Sequence, residues 1–356
     1  MHDVIVIGGG VIGLAVAREL ALNGHSVLVL DRGNARDTTS WAAAGMLAPR
    51  SEADENSPFF DLCLASSRLY RDWANHLYEE SDVDPEYADS GLLFLASTED
   101  SLHRLPGEII SPEEAKRLEP NLSLPIAGAT LLPHECHVTP RQVLEALRTS
   151  CKGKGVEVRS AVRVTEVVEK DGRVSGVKTS TDRIDARCVV VASGVHTPEI
   201  DGLRPPVPLS PRKGQILSLM ADRPVFKRMI RWDHAYMVQR RNGDLVIGAT
   251  NEDCGFDRSV TPAGIGGLMN RAIQMSSVLG GLPIHEMWTG LRPATPDGLP
   301  ILGRADIHGL IYATGHYRNG ILLAPITAAC VAALVEGTEA PVDLHPYSPG
   351  RFSSHT

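Results

Sequence analysis

The 356-residue sequence has no apolar run long enough to cross a membrane. Its longest apolar runs, such as Val4–Ile7 and Ile321–Ala324, are far shorter than the roughly 20 residues that a transmembrane helix needs. The sequence also lacks an excess of positive charge, and its net charge of −8 argues against a nucleic-acid-binding surface, which would be basic. The N-terminus enters a strand pattern without a basic segment or cleavage site, so we expect no signal peptide.

Paired cysteines are missing as well. The six cysteines are scattered without a CxxC pair, which suits a reducing compartment and predicts a cytoplasmic protein. The run His134–His137 (His-Glu-Cys-His) is spaced too tightly for four ligands on one metal ion, and the sequence contains no second half of such a site. We therefore expect a structural loop there and no metal.

The first 31 residues have the pattern of a complete βαβ unit. Val4–Ile7 reads as a buried strand and is followed by Gly8-Gly9-Gly10-Val11-Ile12-Gly13 and a helical stretch. Val27–Leu30 is a second strand, which ends at Asp31. The glycines at 8, 10 and 13 permit a tight turn and close approach to a pyrophosphate, and Asp31 is placed to accept hydrogen bonds from ribose hydroxyls. This unit predicts a dinucleotide site.

Later segments favour FAD over a nicotinamide dinucleotide. Val189–Gly194 is a strand ending in small residues, and Ile311–His316 ends in a glycine turn before a predicted helix, Gly320–Glu336. A cofactor contacted by the beginning, middle and end of the chain is extended and deeply held, as a tightly bound FAD is. The start of that helix would also direct N–H groups and a positive dipole toward a reduced flavin ring.

Other periodic segments predict further elements. Helices are expected at Ser57–Ser81, at Ser111–Leu118, from Thr139 as N-cap, and at Gly264–Leu279. Strands are expected in the segments 156–180 and 214–248, and the four prolines of Leu203–Pro211 suit a crossing between domains.

Four motifs together carry a family resemblance: the glycine turn Gly8–Gly13, Thr38–Leu47, Gly290–Pro293 and Gly315–Pro325. They resemble the FAD-dependent D-amino acid oxidase superfamily, and most of all its glycine oxidases of the thiamine-thiazole pathway. The resemblance extends from Val4 to about Leu334. It implies an α/β fold with a Rossmann-like FAD-binding domain formed by residues 1–85, 139–205 and 286–356, and an inserted β-rich substrate domain formed by 86–138 and 206–285.

The resemblance also implies the FAD contacts, which we expect to be noncovalent because Cys330 lies in an apolar helix without the pattern of covalent attachment. The expected contacts are Val11, Ile12, Asp31, Arg32, Thr38, Thr39, Ala44, Gly45, Met46, Val162, His316, Tyr317, Arg318, Asn319, Gly320, Ile321 and Leu322.

For the substrate, the resemblance assigns Arg292 to the carboxylate, since a planar guanidinium fork grips both oxygens. Tyr236 matches a position whose hydroxyl helps to hold the carboxylate. Arg318 either borders the substrate or positions its loop. His234 is a neighbour for which a structural role is the better interpretation, and Asn251 matches a variable position that tunes specificity.

The implied reaction is the oxidative deamination of glycine and other small amines, such as sarcosine and small D-amino acids. A hydride passes from Cα to the flavin, the imine is hydrolysed, and O₂ is reduced to H₂O₂. The expected partners are therefore a small amino acid and O₂, and further copies of the chain in a dimer or tetramer. Alternatives are a D-amino acid oxidase or dehydrogenase, a sarcosine-type oxidase, and a non-catalytic dinucleotide-binding redox module.

Overall fold

The computed structural model describes residues 2–33, 36, 38–123 and 125–355, which form two eight-stranded sheets and a two-stranded sheet. The strands are β1 (His2–Ile7), β2 (Val27–Asp31), β3 (Met46–Leu47), β4 (Leu92–Ala96), β5 (Glu108–Ile110), β6 (Gly128–Leu132), β7 (Cys136–His137), β8 (Glu157–Ser160), β9 (Val164–Lys170), β10 (Arg173–Thr179), β11 (Arg183–Val191), β12 (Ser210–Met220), β13 (Met229–Trp232), β14 (Ala235–Gln239), β15 (Asp244–Gly248), β16 (Ile284–Ala294), β17 (Ile301–Arg304) and β18 (Leu310–Thr314). The α-helices are α1 (Val11–Leu22), α2 (Thr39–Ala42), α3 (Pro49–Glu52), α4 (Pro58–Ser81), α5 (Glu99–Leu102), α6 (Pro112–Leu118), α7 (Pro140–Gly153), α8 (Pro262–Met275) and α9 (Gly320–Glu336).

The first sheet has the strand order β17-β18-β11-β1-β2-β8, and β9 and β10 extend from β11. From β18 to β8 the neighbouring strands are parallel. Parallel strands are covered on both faces, which is why Val4–Ile7 and Val27–Asp31 are buried throughout. Helices α1, α4, α7 and α9 pack together on one face, and residues of β9 and β10 join the core on the other.

The second sheet has the order β16-β12-β15-β14-β13-β4-β6-β5 and is antiparallel except where β4 runs parallel to β13. Leu268, Ala272 and Met275 of α8 fill the core on one face. On the other face, Trp288 and Val238 belong to a core that also includes Ala42 of α2. This second face therefore meets the segment that follows the first βαβ unit.

Most predicted elements are confirmed. Ser57 caps α4 by accepting a hydrogen bond from the Phe60 N–H, and α9 has the predicted bounds. Thr139 stands at the N-cap of α7, but its hydroxyl makes no capping bond and donates to Glu86 instead. The helix predicted to reach Leu279 ends at Met275, because Ser276 is extended, and a separate 3₁₀ turn follows.

The second sheet continues beyond the predicted domain boundary at residue 285. Strand β16 pairs with β12 as far as Ala294, so Arg292, which lies in the predicted cofactor-domain segment 286–356, is carried by a strand of the second sheet. The division into two discontinuous domains otherwise stays a prediction. Within the described residues, no helix is long and apolar enough to cross a membrane.

Candidate active site

The glycine turn after β1 is packed too tightly for side chains. Gly8 has φ +114°, and a Cβ there would lie 2.4 Å from the carbonyl oxygen of Ala192. A Cβ on Gly13 would lie 1.9 Å from the carbonyl oxygen of Gly8, so that glycine lets α1 approach the strand that precedes it. The N–H of Val11 donates to Ser40 Oγ at 3.0 Å. The turn thus brings the start of α1 to a backbone-lined surface, as a pyrophosphate site requires.

Asp31 lies at the end of β2 beside this turn. It is 6% exposed, and among the described residues no group donates a hydrogen bond to its Oδ2. Arg148 is 3.9 Å from that oxygen, and burial raises the pKa of the carboxyl. A buried acceptor without a donor is costly unless a ligand supplies one. A ribose hydroxyl pair would satisfy this oxygen, so the residues here fit the nucleotide end of FAD.

One continuous cavity of about 1150 Å³ begins at the glycine turn and reaches the second sheet. This volume exceeds that of most small-molecule pockets, and suits a dinucleotide together with a small substrate. Gly13 and Leu322 do not line it: Gly13 packs against Gly8, and the Leu322 side chain is buried in the core. All the other predicted cofactor residues line the cavity, namely Gly8, Gly10, Val11, Ile12, Asp31, Arg32, Thr38, Thr39, Ala44, Gly45, Met46, Val162, His316, Tyr317, Arg318, Asn319, Gly320 and Ile321.

The start of α9 forms another wall of the cavity. His316 is buried, with Nε2 3.0 Å from the Thr327 hydroxyl, and burial lowers its pKa to about 3. The imidazole is therefore neutral at physiological pH. The backbone carbonyl of Asn319 accepts the Leu323 N–H at 2.8 Å. The N–H groups of Gly320 and Ile321 lie in the first turn, where the helix offers them no carbonyl partner of its own. These amides and the helix dipole favour negative charge in the adjacent space.

Helix α2 connects the cofactor turn to the second sheet. The Thr38 hydroxyl accepts the Trp41 N–H at 3.1 Å and begins the helix, and Thr39 donates its hydroxyl proton to the carbonyl of Leu291. Ser40 bonds to the start of α1 as described above. The hydroxyl-rich run thereby fixes the distance between the cofactor turn and the strand that carries Arg292.

Arg292 is a partly buried cation on the cavity wall. Its Nη1 donates to the Thr250 carbonyl at 3.1 Å and to the Lys213 carbonyl at 3.5 Å, and no carboxylate lies within 4 Å in the described parts of the chain. Its guanidinium covers Gly214, where a Cβ would be 2.3 Å from Nη2. Burial lowers the pKa of Arg292, although a guanidinium remains charged at neutral pH. The cation is therefore held in place with donors available to an anion.

Tyr236 lies near Arg292 on the same cavity wall. Its ring covers Gly248, the residue opposite it on β15, where a Cβ would be 2.4 Å from the hydroxyl. Burial raises the pKa of the Tyr236 hydroxyl, and the positive charge of Arg292 acts in the opposite direction. The phenol therefore stays protonated and able to donate a hydrogen bond.

The remaining predicted substrate residues border the cavity at more open positions. The Arg318 side chain is exposed and stacks over the Tyr317 ring at 5.1 Å. Asn251 is exposed and its Oδ1 lies 3.5 Å from the Tyr317 hydroxyl. The His234 side chain is 80% exposed in the turn between β13 and β14. Arg292 and Tyr236 thus form the buried part of the predicted substrate site, and the other three its rim.

Sequence reasoning missed two charged groups in the cavity wall. Glu199 is held by Arg32 at 2.9 Å, by Arg163 at 3.1 Å and by His196 at 2.7 Å. Glu52 is held by Arg231 at 2.8 Å. The arginine partners in both groups are far from the glutamates in the sequence, so no local motif signals these ion pairs. Glu52 ends the four-residue helix α3, which is too short to show a periodic pattern of apolar residues.

The His134–His137 run does not face this cavity. Glu135 accepts the Arg50 N–H at 2.9 Å, and β7, formed by Cys136 and His137, pairs with β3. Burial raises the pKa of Glu135 to about 7. These residues bind the backbone around α3 and β3.

A family model described as FAD dependent oxidoreductase matches residues 3–334. The chain belongs to this family. It is 34% identical to the glycine oxidase of Bacillus subtilis (strain 168) over 97% of this chain and 96% of that protein. The crystal structure of glycine oxidase from Geobacillus kaustophilus superimposes with a TM-score of 0.93 at 34% identity and covers 98% of both chains.

A longer relative, the bifunctional protein ThiO/ThiG of Nostoc sp., is 38% identical over 94% of this chain. This chain spans about half of that relative, 52% of its length. The family membership confirms the predicted fold class and establishes FAD as the cofactor, which the buried acceptor on Asp31 and the crowded glycine turn fit.

Proposed function

We propose that this FAD-dependent oxidoreductase is a glycine oxidase, which deaminates glycine and other small amines to the 2-oxo acid, ammonia and H₂O₂. The observation that carries the proposal is the pair Arg292 and Tyr236 at one end of the cavity whose other end holds Asp31 and the glycine turn. A carboxylate-binding cation beside a dinucleotide site suits an amino acid better than a neutral amine. The likeness to two glycine oxidases over the full chain supports the same choice.

The flavin, when bound, supplies the acceptor for the hydride from Cα. The chain's residues bind and orient the substrate. The guanidinium of Arg292 receives the carboxylate, and the Tyr236 hydroxyl donates to one of its oxygens. Because both side chains are packed against glycine backbone, they restrict the substrate to one orientation, and rate follows from that alignment. The amide groups at the start of α9 line the cavity and would favour negative charge on a flavin held beside them.

Peroxide release with glycine, sarcosine and D-alanine, measured side by side on flavin-loaded protein, tests the proposal. Turnover of glycine at a kcat/KM at least comparable with the other two supports a glycine oxidase. Turnover only of D-alanine or only of sarcosine would assign the chain to one of the alternatives, and turnover only with an artificial acceptor would make it a dehydrogenase. No turnover with any amine would favour a non-catalytic redox module.

We further propose that the product supplies thiamine thiazole synthesis, the pathway of the glycine oxidases that the sequence motifs resemble. Restoration of thiamine-independent growth in a bacterial strain that lacks its own glycine oxidase would support this, and failure of an active protein to restore growth would contradict it. The cytoplasmic location and the dimer or tetramer stay predictions, which cell fractionation and light scattering would test.

A further inference from the structure

Four carboxylates line the cavity in the part of the chain that the structure describes: Asp31, Glu52, Glu199 and Glu252. Asp31 lies beside the glycine turn, at the nucleotide end. Glu199 is surrounded by two arginines and a histidine. Glu252 is occupied on both oxygens, since Oε1 accepts from Gln215 at 2.8 Å and Oε2 lies 3.3 Å from the Lys213 ammonium. Glu52 is different from these three.

Glu52 keeps one oxygen available. Its Oε1 accepts from Arg231 Nη1 at 2.8 Å, whereas no described residue donates to Oε2. The Arg231 Nη1 also donates to the Ser51 carbonyl at 2.7 Å, and its guanidinium stacks on Phe94 at 4.8 Å. The Glu52 side chain is 19% exposed. The carboxylate is therefore held in place by its ion pair with Arg231, and it still has acceptor capacity in the cavity wall.

Glu52 lies at the substrate end of the cavity. Its partner Arg231 is directly opposite Tyr236 in the antiparallel pair β13–β14, so the two side chains project from the same face of the sheet. After the larger effects of burial and of Arg292, the Glu52 charge raises the pKa of Tyr236, and it acts in the same direction on Arg292. A negative charge is thus close to both residues assigned to the substrate carboxylate.

A negative charge at this point has a chemical consequence. A bare carboxylate ligand on Arg292 would be repelled by Glu52, whereas an α-amino acid carries N–H donors one carbon away from its carboxylate. Building on the proposed function, we infer that Glu52 accepts a hydrogen bond from the substrate amino group and thereby selects amino acids over other small carboxylic acids. Arg231 is a positioning residue, which holds Glu52 in that orientation.

The test compares one ligand that has the amine with one that lacks it. In Glu52→Gln, we expect the KM for glycine to rise about ten- to hundredfold, the effect of losing a hydrogen bond to a charged group. Competitive inhibition by acetate should be unchanged or tighter, because the repelling charge is gone. A merely structural role would weaken both ligands together, and that result, or an unchanged KM for glycine, would overturn the inference.

A matched control is available on the same segment. Glu55 is half exposed and pairs with Arg50, so Glu55→Gln should behave like the parent with both ligands. Should Glu52→Gln fail to retain flavin, Glu52→Asp keeps the charge on a shorter side chain. It should raise the KM for glycine less than tenfold and leave acetate inhibition unchanged, and equal weakening of both ligands would count against the inference.

The outcome is separable from that of the proposed function. If the parent does not oxidise glycine, the proposed function fails. The Glu52 comparison is then made by the change in flavin absorbance on titration with glycine and with acetate. Loss of glycine binding alone in Glu52→Gln still supports amine recognition, and equal binding changes contradict it.

Discussion

Replacing Arg292 is the most decisive perturbation of the substrate site. Arg292→Ala removes the guanidinium that the backbone carbonyls of Thr250 and Lys213 hold in the cavity wall. Within the described residues, no other guanidinium binds these two carbonyls. Arg292→Lys keeps the charge but loses the planar fork. Both substitutions leave the glycine turn and Asp31 unchanged, so flavin binding should persist in both variants.

The expected magnitude follows from the hydrogen bonds at stake. A hydrogen bond between charged groups contributes roughly 1.5–3 kcal/mol, and a guanidinium makes two of them with a carboxylate. Arg292→Ala should therefore lower kcat/KM for glycine by at least about a hundredfold. In Arg292→Lys the ammonium binds one oxygen without fixing the angle of Cα–H, so KM should rise and kcat should fall.

Arg212 provides the matched control. It is directly opposite Arg292 in the β12–β16 pair, but its side chain is 38% exposed and forms an ion pair with Asp253. Such exposed pairs contribute little, so Arg212→Ala should keep near-parental kinetics. Steady-state peroxide release with glycine, normalised to flavin absorbance, measures all three variants. Near-parental kcat/KM in Arg292→Ala would refute the assignment and move the carboxylate site, with Arg318 the next residue to test.

Three further predictions concern the cofactor, the substrate wall and the fold. Asp31→Ala should weaken FAD binding about ten- to hundredfold in a fluorescence titration, since ribose hydroxyls lose a charged acceptor; parental affinity would contradict the assignment of this βαβ unit. Gly214→Ala should displace Arg292 and raise the KM for glycine with normal flavin content, because the new Cβ would lie 2.3 Å from Nη2; an unchanged KM would show that the guanidinium relocates freely. Burial alone would raise the pKa of Glu80, but bonds from Arg18 and two neighbours outweigh it and lower the pKa to about 2. The ionised Glu80 therefore stabilises the fold fully above its ordinary pKa of about 4.5, and this contribution is lost as the pH falls toward 2. Glu80→Gln should lower the free energy of unfolding, measured with denaturant, by on the order of 2 kcal/mol at pH 7 and by much less at pH 2.5. An equal loss at both pH values would contradict this.

The nucleotide half of the protein is encoded locally. A buried β-branched strand, a glycine turn and an apolar helix are adjacent in the sequence, and their periodicities differ enough to be read directly. This unit fixes the positions of Gly8 and Asp31, because Gly8 follows β1, Asp31 ends β2, and the carboxyl ends of these neighbouring parallel strands lie side by side. The same holds for α9, whose bounds the pattern Gly320–Glu336 predicted.

The substrate half depended on resemblance and on tertiary structure. A lone arginine in a strand carries no periodic signal, so position 292 became a candidate through the family motif around it. The extent of β16 to Ala294, which moves that arginine onto the second sheet, follows from pairing with β12 and not from local pattern.

The sequence by itself thus determined the βαβ unit, the helix starts and the residues of the family motifs, because these depend on neighbours within a few turns. Only the tertiary structure decided that Glu52 and Arg231, 179 residues apart, form an ion pair beside Tyr236. In the sequence each is an ordinary charged residue of the kind that usually faces water. Their role arises when folding largely buries both side chains and places Glu52 in the cavity wall. That loss of solvent is a property of packing and not of local sequence.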